Sequence, residues 1–333
     1  MSGKNQPHNV NACPFYFPLE NGRYEVKPGL YKFPHDFGQG MADRQVFQFD
    51  HTFAQYRAEK LAARAERLGK YYCRQGCAQE VESLISRFII QRLVEDQPAK
   101  FQLEKAAKER ILHCLPSQDV LSFDSEYRLM GTQTENGGSA EYVDSFDALA
   151  CQIQEDLAVV QLQNDGVDRV TALHLCLPNH WSAEEKIGRS FRDVHQPVPG
   201  MTRMNLTAEQ LMQAVIHKGP FVRFAWGIAT DARLNHHPQP PSGIDAKDWQ
   251  GRAFDPAQAQ LYLRVERQTI HGFPAQGCAL FTIRTYLYDI DTDNFAAEHR
   301  DRIASAIESM TEDSARYKGL EEDRGAILQW LIR

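Results

Sequence analysis

Two long runs near the carboxyl end constrain this chain more than any other feature. Residues 259–270 (AQLYLRVERQTI) and 277–288 (GCALFTIRTYLY) are rich in β-branched and aromatic side chains, which suit a pleated, half-buried surface. The stretch between them holds Gly and Pro, so the two read as an antiparallel strand pair. Residues 220–229 (PFVRFAWGIA) read as a further strand. In the first run Arg264, Glu266 and Gln268 fall on one side of the strand, Val265 and Arg267 on the other. Burying such a row of charges in a sheet is costly unless the charges pair or bind something. An exposed face with ordinary cross-strand ion pairs is the plainer account.

Residues 1–45, rich in Pro, Gly, Asn and aromatics, read as an extended arm that packs down on a core. Helices are expected over 53–70 and 78–94. In the second, Val81, Leu84, Ile85, Phe88 and Ile89 form one apolar stripe. Residues 117–143 read as a strand and a polar loop, with ENGGS at 135–139 as its most flexible point. Phe146, Leu149, Ala150, Ile153, Leu157 and Val160 mark another amphipathic helix, and Val170 to Leu177 a buried strand. Ser182-Ala-Glu-Glu185 has capping-box spacing, so a short helix starts at Ala183. Thr207 and Gln210 repeat that spacing before Leu211, and closing helices are expected near 296–310 and 320–332. The plan is helices, then antiparallel strands, then helices: α+β and not doubly wound. It divides into an arm with helices (1–115), a central domain (116–295) and carboxyl-terminal helices (296–333).

Composition narrows the function. With 37 basic against 44 acidic residues the net charge is −7, which argues against a nucleic-acid-binding surface. No apolar run approaches the roughly 20 residues that cross a bilayer, and the polar start MSGKNQPHNVNAC lacks the plan of a secretory signal. Seven scattered cysteines suggest no disulfide framework, so a cytoplasmic setting is expected. Cys73 and Cys77 are too few for a structural zinc site, and without CxxCH any haem is held without thioether links. No phosphate loop, nucleotide-binding GxGxxG, HExxH or GxSxG stands out. A redox enzyme built this way takes its nicotinamide electrons from another polypeptide.

The least ordinary segment is PNHWSAEEKIGRSFRDVHQPVPG, residues 178–200. Pro197 and Pro199 fix their own φ and favour extended residues before them. His195 thus stands at the exit of a short helix, just before a stiff extended stretch, and a neutral imidazole so restrained suits haem iron. Lys186 and Arg189, three apart on that helix, would suit two propionates. The plain readings are a hydrogen-bonded histidine and solvated cations. Glu266 can neutralise an alkylammonium, with aromatic neighbours adding cation–π attraction. Arg223, among apolar residues, either snorkels or pairs inside a pocket. His236-His237, in a Pro-rich stretch, reads as loop.

These runs resemble the haem-dependent oxidative N-demethylases, the dimethylamine monooxygenase-like proteins. The segment 178–200 is similar to one signature of that family and LRVERQTIHGFPAQGCALFTIRTYL to a second. QEDLAVVQL at 154–162, FDHTFAQYRAEK near 49–60 and ARYKGLEED near 315–323 follow in the right order. Two departures stand out. Ala225 replaces an Asn in the Arg-x-Asn-Trp element, and His271-Gly-Phe273-Pro274 replaces an Arg-Leu-Pro turn. Both bear on the substrate more than on the fold.

The resemblance implies a PAS-like haem domain: a strongly curved antiparallel sheet of about five strands with helices on one side, embedded in extra helices. It implies a haem b monooxygenase that uses dioxygen to take a methyl group from dimethylamine or a similar amine, releasing formaldehyde. NADPH, FMN and a 2Fe-2S centre would sit on partner subunits, and a folate-binding partner would capture the formaldehyde. By the same resemblance His195 would ligate iron, with Lys186, Arg189 and Arg264 contacting the cofactor. Glu266 and Arg223 would serve the amine and the pocket. His174, His217 and His271 remain other candidates for the iron. A haem PAS gas sensor without turnover is the rival from another class, and a cofactor-free scaffold subunit is a third.

Overall fold

The computed structural model describes residues 13–106, 108–134, 141–258, 260–292 and 295–332; the ENGGS segment lies outside them. In chain order the elements begin with β1 (Tyr31–Lys32), α1 (Phe53–Tyr71), β2 (Tyr72–Arg74) and α2 (Gln79–Asp96). Four short strands follow, β3 (Phe101–Lys105), β4 (Glu109–Cys114), β5 (Asp119–Asp124) and β6 (Leu129–Thr134). The centre holds α3 (Ser145–Ala150), β7 (Asp156–Leu162) and β8 (Asp168–His174). Next come α4 (Ala183–Lys186), α5 (Phe191–His195), α6 (Thr202–Leu206) and α7 (Ala208–Lys218). β9 (Phe221–Ala229), α8 (Ala246–Gln250), β10 (Tyr262–Phe273) and β11 (Cys278–Asp289) lead to α9 (Ala297–Glu308), α10 (Glu312–Tyr317) and α11 (Arg324–Leu331).

A seven-stranded sheet in the order β1-β9-β10-β11-β7-β8-β2 organises the molecule, antiparallel at every pairing. A separate four-stranded antiparallel sheet, β3-β4-β5-β6, lies apart from it. The α+β class follows, with seven strands where about five were expected. The pair β10–β11 is the anticipated hairpin, in register from Tyr262–Asp289 to Phe273–Cys278. Among the described residues no helix is long and apolar enough to cross a membrane.

Both faces of the large sheet are covered over most of their area. On one, Leu157, Val159 and Leu280 join a cluster with α2 and the small sheet, while Leu263, Val265 and Tyr286 pack under the arm and α9–α11. On the other, Ala158, Val160, Ile270 and Ala279 lie under Ala183, Met212 and Val215 of α4 and α7. Beyond them Leu287 meets Tyr56, Tyr71, Leu177 and Leu234.

Several local expectations need correction. The helix expected from 146 to 160 ends at Ala150, and 156–162 is strand β7. The Lys60 ammonium takes the carbonyls of Ala150 (2.9 Å) and Glu155. Gln154 and Glu155 accept from the backbone N–H groups of Asp50 and Gln48, so this stretch is pinned as a turn. The anticipated helix after Ser182 does form, its hydroxyl accepting from the Glu185 N–H at 3.3 Å. It stops at Lys186, however, so Arg189 lies beyond it, past Gly188 at φ +73°. The second capping box fails: Thr207 makes no side-chain cap and instead donates to the Met204 carbonyl. Residues 196–200 are turns and a bend and not an extended stretch, with Val198 N–H on the His195 carbonyl at 3.0 Å.

Candidate functional site

The side chains at issue converge on the middle of one sheet face. Register places Arg223, Ala225 and Gly227 of β9 beside Gln268, Glu266 and Arg264 of β10. Those in turn stand beside Ile283, Thr285 and Leu287 of β11. One end of this face is roofed by α4–α7 and the other by the segment 177–181, where the Asn179 amide nitrogen would lie 3.7 Å from a Cβ on Gly227. Between the two roofs Arg223, Ala225, Gln268 and Ile283 stay partly exposed although they lie in a seven-stranded sheet. The face is uncovered there. β9 pairs with β1 only at Phe221 and Val222, leaving most of its outer edge unpaired. The Lys318 ammonium donates to the Trp226 carbonyl on that edge at 2.7 Å.

His195 ends α5, which is anchored on β8 by the Phe191 N–H donating to Asp168 at 2.6 Å. Its Nδ1 lies 2.8 Å from the Phe191 carbonyl and its ring 4.1 Å from the Phe191 ring centroid. A carbonyl can only accept, so Nδ1 carries the hydrogen and Nε2 keeps its lone pair. Burial holds the imidazole pKa down to about 4 against the pull of that carbonyl, and the charges of Arg223 and Lys186 push the same way. The ring is neutral at pH 7, with its free nitrogen ready for a metal.

Arg223 makes no side-chain hydrogen bond among the described residues, and its Nε is buried without a partner. Burial lowers its pKa and Glu266 opposes the shift. Glu266 accepts from the Gln268 amide at 3.1 Å, while its other oxygen lies 3.9 Å from Arg264 Nε. Arg264 is spent on the backbone, donating to the carbonyls of Leu234 (2.9 Å) and Leu177 (2.7 Å). It fastens the roof segment to the sheet. Lys186 is half-buried and donates to the Val194 carbonyl at 3.3 Å; Arg189 is exposed. Of the sequence-derived residues, the structure gathers Glu266, Arg223 and Arg264 on one sheet face. His195 lies on the helix that packs over that face, Lys186 is tied to the same helix through the Val194 carbonyl, and Arg189 is exposed.

The other histidines are placed differently. His271 is an odd-numbered β10 residue, so it points to the opposite sheet face, against Phe33 and Phe88. His217 is exposed on α7. His174 sits in a buried group with Asp147 and Cys151, the three ligand-type atoms within 4.8 Å of one another. Asp147 there already accepts two 2.7 Å bonds from Arg64 and the Val143 N–H at 3.0 Å. A metal would have to compete with a guanidinium in place, so this is a closed ion-pair network.

Sequence reasoning missed two contributors. His180 has φ +61°, a conformation uncommon outside glycine, and its ring stacks on His236 at 5.3 Å. Arg252 Nε donates to its Nε2 at 3.2 Å. Burial, then the Arg252 charge, hold its pKa down to about 2. Lys318 is pushed down to about 8 by burial, with Glu266 opposing. Both lie inside runs quoted above, PNHW and ARYKG, but nothing in residue type or spacing marks either one.

A haem fits what these residues offer: a neutral imidazole with Nε2 free, a guanidinium whose buried Nε has no hydrogen-bond partner, and an uncovered strip of sheet between two roofs. A family model described as haem-dependent oxidative N-demethylase, alpha subunit-like, matches residues 38–328. That match covers most of the chain and includes every residue of the candidate site. The chain belongs to the haem-dependent oxidative N-demethylase, alpha subunit-like family.

Proposed function

We propose that this protein is the haem b-binding catalytic subunit of a cytoplasmic monooxygenase that demethylates a small secondary amine such as dimethylamine. The reading takes residues 116–295 as a PAS-like catalytic unit. One observation carries it most: His195 keeps its Nε2 free on a helix whose Phe191 and Val194 pack against the sheet face that holds Arg223. When bound, haem supplies the binding and activation of dioxygen.

The chain supplies the rest. His195 holds the metal, its tautomer fixed by the Phe191 carbonyl. Lys186 and Arg189 would be the cations that meet the propionates. Arg264 acts through the segments it fastens, keeping the roof of the cleft in place. Glu266, with one oxygen held by Gln268, offers the other to the amine. Arg223 supplies a cation with no competing hydrogen bond. The apolar neighbours Ala225 and Ile283 let the methyl group approach and keep water out. One oxygen atom leaves in formaldehyde and the other in water, which requires a pair of electrons from outside the chain. Those come from NADPH through FMN and a 2Fe-2S centre on partner subunits, and a folate-binding partner takes up the formaldehyde.

The test is a visible spectrum of the purified chain followed by turnover. A Soret band, and formaldehyde from reduced protein given oxygen and dimethylamine, are expected. A Soret band without formaldehyde would make the chain a haem sensor, and no Soret band after expression with ample haem would make it a scaffold.

A further inference from the structure

The uncovered cleft has a counterpart on the outer side of α5 and α6. The stretch 186–206 carries Lys186, Arg189, Arg192 and Arg203 against one acid, Asp193, in a chain of net charge −7. Arg189, Arg192 and Arg203 are exposed. Among the described residues none of their side chains has a hydrogen bond or an ion pair. Several arginines elsewhere are tied down, as Arg57 is to Asp119, Arg67 to Glu184 and Arg316 to Glu321, whereas Arg23 and Arg87 are exposed in the same way but lie apart, on the arm and on α2. A depression of about 450 Å³ opens here, lined by Arg192, Gln196, Val198, Met201, Asn205 and Leu206 among others.

Two features set this patch apart from ordinary solvated charge. Leu206 is 76 % exposed, more than any other large apolar side chain of the described residues. The Asn205 side-chain oxygen is buried without a hydrogen-bond partner. An apolar prominence and an unmet acceptor, in a depression lined by Arg192 and Asp193 with Arg203 on the neighbouring helix, are the usual makings of a protein interface. The same short helix carries His195 at its end and Arg192 one turn earlier.

We infer that the α5–α6 face is the docking surface for an acidic, electron-carrying protein. The inference rests on the haem reading above for what the partner delivers, though not for whether it binds. Charge complementarity selects the partner: carboxylates meet Arg192 and Arg203, and an apolar contact covers Leu206. Such a surface raises the association rate more than the final affinity, and salt weakens it. Docking here brings the donor beside the helix that holds the iron ligand.

The probe is a reduced plant-type 2Fe-2S ferredoxin, mixed anaerobically with the ferric haem-loaded chain. The reduction rate is expected to fall roughly tenfold between about 20 mM and about 500 mM salt. R192E/R203E should be roughly tenfold slower at low salt and lose most of that salt dependence. Its Soret band and its reduction by a small viologen radical should stay within about twofold of the parent. Leu206→Asp should slow the ferredoxin reaction alone. R23E/R87E, which reverses two exposed arginines elsewhere, is the control and should react as the parent does. Equal rates in parent and R192E/R203E, or an equal loss in the control, would overturn the proposal.

Calorimetric titration of the same chains with the ferredoxin needs no haem. A chain that takes up no cofactor but loses ferredoxin binding in R192E/R203E would sink the haem reading and leave the surface standing. Absence of binding by the parent would sink the surface.

Discussion

One imidazole nitrogen tied to its own helix and the other left free is a small arrangement with a large chemical consequence. His195 Nδ1 is occupied by the Phe191 carbonyl, so any Lewis acid must meet Nε2. The histidine was legible because two prolines follow it, although those prolines build turns and not the extended stretch they suggested. His195→Ala should shift the Soret band and lower turnover at least about 100-fold, beyond what loss of a supporting contact costs a metal site; added imidazole should restore the spectrum. An unchanged spectrum would identify another ligand. The row of charges in the strand pair was equally readable, but its division of labour was not. Arg264 holds carbonyls, Arg223 holds nothing, and only three-dimensional neighbours separate them. On the opposite face Arg284 meets Asp50 at 2.7 Å, both buried. Asp50→Asn should cost about 3–5 kcal/mol in urea unfolding, because it leaves a guanidinium uncompensated in the interior.

Elements marked by a clear turn signal or by a single apolar stripe announced themselves, and those without such marks did not. The hairpin β10–β11 and helix α2 follow their periods and fall where expected. β7 is buried along most of its length, and a strand apolar on both faces can imitate a helical stripe. The small sheet was largely unseen. Strands such as FQLEK and ERILHC expose polar sides and are only five and six residues long. The fit between α7 and β10 was also beyond sequence. Gly272 lies against the last turn of α7, where a Cβ would run into the carbonyl of Ile216. Gly272→Ala should destabilise by about 3 kcal/mol, at the upper end for overpacking, seen as a lower denaturant midpoint. A neutral outcome would mean that α7 is free to shift away from the sheet.

At the scale of the whole molecule, distant stretches meet around one sheet face and its edge: 177–181, 191–195, 221–229, 262–289 and 317–318. The same folding buries histidines in neutral form. Burial lowers the pKa of His174, His236 and His237, and that of His271 to about 3 from 6.5. Below about pH 6.5 an unfolded chain protonates these rings more readily than the folded chain does. The unfolded form therefore binds more protons, and stability falls as pH drops from about 6.5 toward 3. His271 alone should account for about 2 kcal/mol of that loss at pH 5. His271→Phe should therefore gain about 2 kcal/mol more at pH 5 than at pH 8 in chemical denaturation; an equal effect at both pH values would show that the ring is already charged in the fold. The Lys318 contact with the Trp226 carbonyl carries a consequence for anyone shortening this protein. A fragment ending before Lys318 would bare the rim of the strand that borders the cleft. An unclosed rim of that kind recruits strands from other molecules, so such a fragment would betray its missing tail first by clumping.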